Sequence, residues 1–209
     1  MIAMKKKCVF VMGPESTGSM FISKIVSHAL GIDKYGEWNG RRWNDKGEHK
    51  VFHKSLPSQW PPHYPNIEQL IAENQESYDI YFILPTRDIT ISERSRITRW
   101  VKSVAQVEQE SMKAKEIMIH IMQSGQKYFI WSYETFMYLG QAYLDQLYKF
   151  LAIDSDFCPD LEDANRNRIT KGKLKAKPRV LFRWRMIRKR IRSFFMRNIG
   201  VREEGPSIL

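Results

Sequence analysis

The chain has 209 residues, 43% of them hydrophobic and 27% charged, with a net charge of +11, and this length fits one α/β domain with a sizeable core. No run of about 18 apolar residues is present, so the sequence predicts no transmembrane helix. Its two cysteines, Cys8 and Cys158, fit neither a disulfide framework nor a metal-ligand spacing, which favours a cytoplasmic protein without a structural metal.

The N-terminal stretch predicts a strand, a glycine loop and a helix. A short apolar run ends at Gly13, and after Gly18 apolar residues recur at helical spacing up to Leu30. Such a turn aims backbone N–H groups and the positive end of the helix dipole at one point, which is typical of a phosphate-binding loop.

The loop departs from a Walker A motif at two positions. Gly13 and Gly18 have the correct separation, but Ser19 stands where the motif has lysine and Met20 where it has the magnesium-binding Ser or Thr. A thioether does not bind the hard Mg²⁺ ion, and the lysine that contacts the β- and γ-phosphates is missing. The sequence therefore disfavours phosphoryl transfer and predicts no metal.

The hydroxylated residues before the first helix resemble the loop of sulfotransferases that use 3′-phosphoadenosine 5′-phosphosulfate (PAPS). A sulfuryl group carries one fewer negative charge than a phosphoryl group, so amides and hydroxyls can serve it without a metal. The resemblance implies a P-loop-like three-layer α/β fold, a parallel sheet flanked by helices, with PAPS as co-substrate. It also implies that the 5′-phosphosulfate is held by Ser16, Thr17, Gly18 and Ser19, although the family has Lys or Arg where Ser16 stands.

Residues 31–66 predict a long loop, with Trp38, Trp43 and Trp60, that contains one strand-like piece at residues 50–53. In the resembling family, such a strand ends in a Lys-Thr-His-Leu-Pro type segment that carries the general base.

Leu56 and Pro57 match that segment, whereas Ser55 falls at the position of the family's histidine and His53 lies two residues earlier. An imidazole can accept a proton at neutral pH, so we predict His53 as the base, with His63 and His49 as alternatives. A structural hydrogen bond is the other interpretation of His53.

Lys54 is predicted as a catalytic cation that could replace the missing charge at Ser16, and the basic segment near Lys171 is the alternative source of that charge.

The next buried strand is predicted at residues 78–84, a nearly continuous apolar run. Arg87 follows its end, where doubly wound folds bind ligands. In the resembling family, an arginine here and a serine eight residues later hold the 3′-phosphate, and Arg87 and Ser95 have that separation. A guanidinium binds phosphate in a bidentate way, and the hydroxyl adds a short bond. A surface ion pair of Arg87 with Asp88 is the alternative.

Downstream, the sequence predicts a long helix over residues 97–122, a strand over 128–131 and a helix over 136–151, with Glu134 as a helix cap. This order again resembles the sulfotransferases, so the resemblance covers about residues 7–175. It implies that the basic segment 165–177 closes over the nucleotide through Arg168, Lys171 and Gly172; a solvated linker is the alternative.

The positive charge is concentrated at the C-terminal end, where residues 165–209 hold 15 Lys and Arg against 2 Asp and Glu. We predict an α/β domain over residues 1–177 and a basic amphipathic helix with a tail over 178–209. This helix could pack on the core or lie on an anionic membrane surface or polyanion. Nucleic acid is not expected as a partner, because no motif for it is present.

These features predict a PAPS-dependent sulfotransferase that acts on a hydroxyl or amine of a small-molecule or carbohydrate acceptor, in the cytoplasm or peripherally at a membrane. A nucleotide or nucleoside kinase is one alternative, because residues 13–18 resemble kinase loops. A non-catalytic anion-binding module tethered to a membrane or polyanion is the other. Arg87 and Ser95 favour the enzyme, because a tether needs no 3′-phosphate clamp.

Overall fold

The computed structural model describes residues 6–32, 49–58, 62–159 and 165. Contacts divide the chain into two compact units, Met1–Arg168 and Ile169–Leu209, and the described residues all belong to the first unit. Several predictions fall outside the described residues. They concern the three tryptophans of the long loop, the boundary at residue 177, the C-terminal helix, and the site residues Arg168, Lys171 and Gly172.

The described residues form four strands and six helices. In chain order these are β1 (Lys6–Pro14), α1 (Ser19–Ala29), β2 (Lys50–Leu56), α2 (Ile67–Ala72), β3 (Tyr78–Thr86), α3 (Ile89–Trp100), α4 (Val104–Gln123), β4 (Lys127–Ser132), α5 (Tyr133–Leu139) and α6 (Gln141–Leu151). The strands make one parallel sheet in the order β2-β1-β3-β4. Because β2 and β3 lie on opposite sides of β1, the sheet has a topological switch point at the carboxyl end of β1, where such folds bind ligands.

Alternate residues of the strands pack on opposite faces of the sheet. Val9 and Val11 of β1 join the cluster formed with α1, α5 and α6, whereas Phe10 and Met12 join the cluster formed with α2 and α4. Since both faces are covered, the central strands are continuous apolar runs. The structure confirms an α/β fold in which a parallel sheet is flanked by helices.

The prediction of one long helix over residues 97–122 is wrong, because the helix is interrupted within this range. Helix α3 ends at Trp100, Val101 has a left-handed φ of 56°, and the Ser103 side chain caps α4 by accepting from Gln106 N. Apolar periodicity alone does not reveal this break, since it continues on both sides.

The helix predicted over residues 136–151 is also interrupted. Gly140 has a φ of 54° and separates α5 from α6, because this left-handed region suits a residue without a side chain. The cap of α5 is Ser132, whose side chain accepts from Thr135 N. The prediction of Glu134 as the cap is therefore wrong; Glu134 lies in the first turn.

Candidate anion-binding site

The loop predicted to bind phosphate connects β1 to α1 at the switch point of the sheet. Thr17 Oγ1 donates to Pro14 O at 2.8 Å, and Gly18 has a φ of 90° that glycine adopts without steric cost. Gly18 is also the N-cap of α1 and provides no side-chain acceptor, so the first N–H groups of α1 open toward the loop. Ser16 has a φ of 71°, a strained conformation for a residue with a Cβ.

A close approach of two strands holds the loop beside the end of β3. A Cβ added to Gly13 would lie 2.7 Å from the carbonyl oxygen of Pro85. Only glycine fits there without moving one of the strands. The first glycine of the predicted loop therefore has a packing role.

Side chains that follow β3 fix the backbone of the loop from outside. Ser92 Oγ donates to Glu15 O at 3.2 Å, and Arg87 Nη1 donates to Ser16 O at 3.2 Å. Two consecutive carbonyls of the loop are therefore occupied by side-chain donors from the segment after β3. They do not take up the backbone N–H groups of the loop, which an anion site requires.

Lys102 links the loop to α4. Its Nζ lies 2.6 Å from Glu15 Oε2 and 2.6 Å from Glu110 Oε2, with both side chains of the second pair almost fully buried. One buried cation thus serves two carboxylates. The connection ties the loop to the two helices packed beside it.

Arg87 lies at the carboxyl end of β3, and its guanidinium contacts three other residues. Nε donates to Asn165 Oδ1 at 2.8 Å, and Nη2 donates to the same oxygen. The guanidinium carbon lies 4.6 Å from the centre of the Tyr133 ring, in a cation–π contact. Together with the bond to Ser16, these contacts fix the orientation of the cation.

Asn165 connects Arg87 to a carboxylate. Its Nδ2 donates to Glu134 Oε1 at 3.2 Å, and the same oxygen accepts from Asp88 N at 3.0 Å. The reverse amide orientation would place NH₂ against the guanidinium and the oxygen against the carboxylate. Both contacts would be unfavourable, so the chemistry fixes which end of the amide faces Arg87.

Two hydroxyl groups predicted to bind the co-substrate are buried without a partner. Among the described residues, Ser95 Oγ and Ser16 Oγ form no hydrogen bond. Ser95 lies on the buried face of α3 together with Ser92, whose hydroxyl reaches the loop. Unpaired buried hydroxyls are uncommon, so each needs an acceptor such as a ligand oxygen or a water molecule.

His53 lies beside the start of α1. The parallel register places it opposite Val11, and its Nε2 and Ser19 Oγ are joined by a hydrogen bond of 2.8 Å. The side chain is only 6% exposed, and burial lowers the pKa of His53 from 6.5 to about 4. The imidazole is therefore neutral at pH 7 and contacts the loop through the nitrogen that could accept a proton.

Lys54 lies on the other face of the sheet from His53, because successive strand residues point to opposite faces. Burial lowers the pKa of Lys54, and the nearby carboxylate of Glu73 opposes this effect. The side chains of Lys54 and His53 are therefore separated by the sheet. Its predicted catalytic role stays a prediction.

The two alternative histidines occupy different places. His49 Nδ1 accepts from Lys7 N at 3.0 Å, at the amino end of β1, so it lies at the edge of the sheet opposite the loop. His63 is exposed, and its Nδ1 lies 3.5 Å from Ser58 Oγ, beyond the end of β2. We call residues 13–19, the loop predicted to bind phosphate, the phosphate loop. Of the three histidines, His53 is the one in contact with it.

Sequence reasoning missed three residues of the site. Tyr133 and Glu134 follow β4 directly, and the carboxyl ends of parallel strands share one edge of the sheet, so topology could have identified both. Asn165 lies 78 residues after Arg87, and the sequence contains no signal for their contact. The sequence predicts Asn165 only as the start of the basic segment 165–177.

In the part of the chain that the structure describes, no group of three or more His, Cys, Asp or Glu side chains is arranged to hold a metal ion. No helix within those same residues is long and apolar enough to cross a membrane.

Comparisons with protein-family models, with curated proteins and with solved structures find no significant match to this chain. The geometry of the loop and of the residues around Arg87 therefore has to indicate what the chain binds.

Proposed function

We propose that the chain is a sulfotransferase that transfers a sulfuryl group from PAPS to a hydroxyl or amine of a small-molecule or carbohydrate acceptor. The observation that carries the proposal is the bond from Arg87 Nη1 to Ser16 O, 3.2 Å long. It joins an arginine at a strand end to an anion-binding loop, which supports a site for a ligand with two separate anionic groups.

The donors around this contact fit PAPS. The loop offers the backbone amides of its residues, Thr17 and Ser19 included, and the unpaired hydroxyl of Ser16 to the 5′-phosphosulfate, because the Thr17 and Ser19 hydroxyls are already hydrogen-bonded. Arg87 with Ser95 offers a guanidinium and an unpaired hydroxyl to the 3′-phosphate. When bound, PAPS would supply the activated sulfuryl group. No metal is needed for these contacts.

The acceptor must lose a proton as it is sulfated, and His53 receives it in the neutral form, as a weaker base than an exposed histidine because burial lowers its pKa to about 4. In this proposal the acceptor gives its proton to Ser19 Oγ, whose own proton passes to the neutral Nε2 across the bond of 2.8 Å. Arg87 supplies positive charge beside Ser16, where the loop has no basic side chain. A P-loop-like sulfotransferase fold, a cytoplasmic location and contact of residues 178–209 with an anionic surface or polymer belong to the same proposal.

The test is a comparison of two nucleotides by thermal unfolding. Adenosine 3′,5′-bisphosphate should raise the melting temperature without magnesium, because a ligand at 100 times its Kd stabilises the folded state by about 2.7 kcal/mol. ATP with Mg²⁺ should change it little, since Met20 does not bind the metal. Arg87→Ala, as control, should reduce the shift produced by the bisphosphate.

Stabilisation by Mg-ATP and not by the bisphosphate would contradict the proposal and favour a kinase. Stabilisation by neither nucleotide would favour a binding module of another kind.

A further inference from the structure

Three side chains from distant parts of the chain meet beside the phosphate loop. Arg87 follows β3, Glu134 lies in the first turn of α5, and Asn165 lies beyond α6. Asn165 is 7% exposed and connects the other two, because its oxygen accepts from the guanidinium and its NH₂ group donates to the carboxylate. Within the described residues, Arg87 and Glu134 form no direct ion pair.

We propose that Asn165 and Glu134 are positioning residues for Arg87, which hold its guanidinium beside the loop, ready for the 3′-phosphate of the nucleotide, without neutralising it. The inference rests on the proposed function, because it concerns the residues that prepare the same anion site. The three residues form a relay in the order carboxylate, amide, guanidinium.

The neutral amide in the middle of this relay is its decisive feature. A carboxylate in direct contact with Arg87 would hold the guanidinium equally well, but it would form an ion pair there. An incoming phosphate would then have to compete with a charge that is already bound. An amide oxygen orients the cation by hydrogen bonds alone, so the positive charge stays available.

The contacts also determine which part of the guanidinium faces the loop. Asn165 occupies the side edge, formed by Nε and Nη2, and the Tyr133 ring covers one face. One N–H of Nη1 donates to Ser16 O, so this side of the guanidinium lies beside the loop, and one N–H of Nη1 and one of Nη2 remain at the end of the fork. Two parallel N–H groups at that end suit a bidentate contact with phosphate.

Glu134 supports Arg87 in two places, at the side chain through Asn165 and at the backbone through Asp88. Its Oε1 accepts from Asn165 Nδ2, which fixes the direction of the amide, and also from the backbone N–H of Asp88, the residue that follows Arg87. One carboxylate oxygen therefore holds the side chain and the adjoining backbone in a single arrangement.

The decisive experiment exchanges the carboxylate of Glu134 and the side-chain amide of Asn165. The double variant Glu134→Gln with Asn165→Asp keeps the total charge and a hydrogen bond between the two side chains, but it moves the carboxylate into direct contact with Arg87. We expect its affinity for adenosine 3′,5′-bisphosphate, measured by calorimetry, to fall by about 10- to 100-fold while its melting temperature stays within a few degrees of the wild type. A purely structural relay predicts no change, so wild-type affinity in this variant would overturn the proposal.

A mutant cycle tests whether Asn165 acts through Arg87. Asn165→Ala should weaken bisphosphate binding by about tenfold in the wild-type background and hardly at all in an Arg87→Ala background. An equal loss in both backgrounds, or tighter binding by Asn165→Ala, would contradict positioning.

The same four proteins separate this inference from the proposed function. If the wild type binds no bisphosphate, the proposed function fails, and urea unfolding without ligand then tests the relay. The loss of unfolding free energy in the variant with both Asn165→Ala and Arg87→Ala should be smaller than the sum of the losses in the two single variants. Either single change already breaks the contact between the two side chains. Additive effects would overturn the relay independently of any nucleotide.

Discussion

The protonation state of His53 is set by its position in the fold. The side chain is buried, its Nε2 bonds to Ser19 Oγ, and burial lowers the pKa of His53 to about 4. The unfolded chain, in contrast, exposes a histidine with a pKa of about 6.5. The fold therefore keeps this nitrogen free of a proton at pH values where an exposed histidine is charged.

This difference makes stability depend on pH. Because the folded-state pKa is lower than that of the unfolded chain, the stabilising contribution is fully present above about pH 6.5 and is lost as the pH falls toward 4. Between pH 6.5 and pH 5 the free energy of unfolding should fall by roughly 2 kcal/mol through this group. His53→Gln should remove that fall, as measured by urea denaturation at pH 7, 6 and 5.

The control is His120→Gln, because His120 is exposed and contacts Glu68 on the surface. It should leave most of the pH dependence in place. Equal slopes in wild type and His53→Gln would show that the imidazole is accessible to protons in the folded state.

The sequence allowed some residues of the site to be predicted and not others. Gly18 and Arg87 could be assigned from local pattern and from the rule that ligands bind at strand ends. The contact of His53 with Ser19 depends on the register between β1 and β2, which the sequence of neither strand reveals alone. Asn165 depends on tertiary folding over 78 residues, so no local pattern could identify it.

At the scale of elements, the break between α3 and α4 positions an ion pair that the apolar periodicity of the sequence did not indicate. The chain turns at Val101, and Lys102 then lies between Glu15 of the loop and Glu110 of α4. In a continuous helix Lys102 would follow the helical path and would not occupy this turn. The central strands β1 and β3 were predicted well because buried apolar runs in a parallel sheet are distinctive, whereas helix ends depend on such tertiary contacts.

Lys102→Met should therefore be strongly destabilising. The substitution removes the cation that pairs with the nearly buried carboxylate of Glu110, and it breaks the link between Glu15 of the loop and α4. Breaking a buried pair in this way costs about 3–5 kcal/mol. Urea unfolding at pH 7 measures the loss.

Lys113→Met is the matched control, because Lys113 pairs with Glu116 on the exposed surface of α4, the helix that also carries Glu110. Its cost should be about 0–1 kcal/mol. Equal effects of the two substitutions would mean that the contacts of Lys102 are no stronger than a surface ion pair.

At the scale of the whole molecule, the chain combines a nearly neutral α/β part with a strongly basic end. Residues 1–164 hold 19 Lys and Arg against 21 Asp and Glu, whereas residues 178–209 hold 9 against 2. The loop and Arg87 of the candidate anion site belong to the first part, at the switch point between β1 and β3, and Asn165 also precedes residue 178. Binding of a nucleotide and binding of an extended anionic surface should therefore be separable along the chain.

Deletion of residues 178–209 tests this separation. The shortened protein should keep its affinity for adenosine 3′,5′-bisphosphate, because the loop, Arg87 and Ser95 remain. Its binding to vesicles that contain phosphatidylserine should fall strongly, since each Lys or Arg near such a surface contributes about 1 kcal/mol. Binding of the full-length protein should also weaken as salt rises, because the Debye length shrinks from about 10 Å at 0.1 M to about 3 Å at 1 M. Co-sedimentation with anionic and neutral vesicles measures both effects, and loss of cooperative unfolding in the shortened protein would show instead that residues 178–209 form part of the folded core.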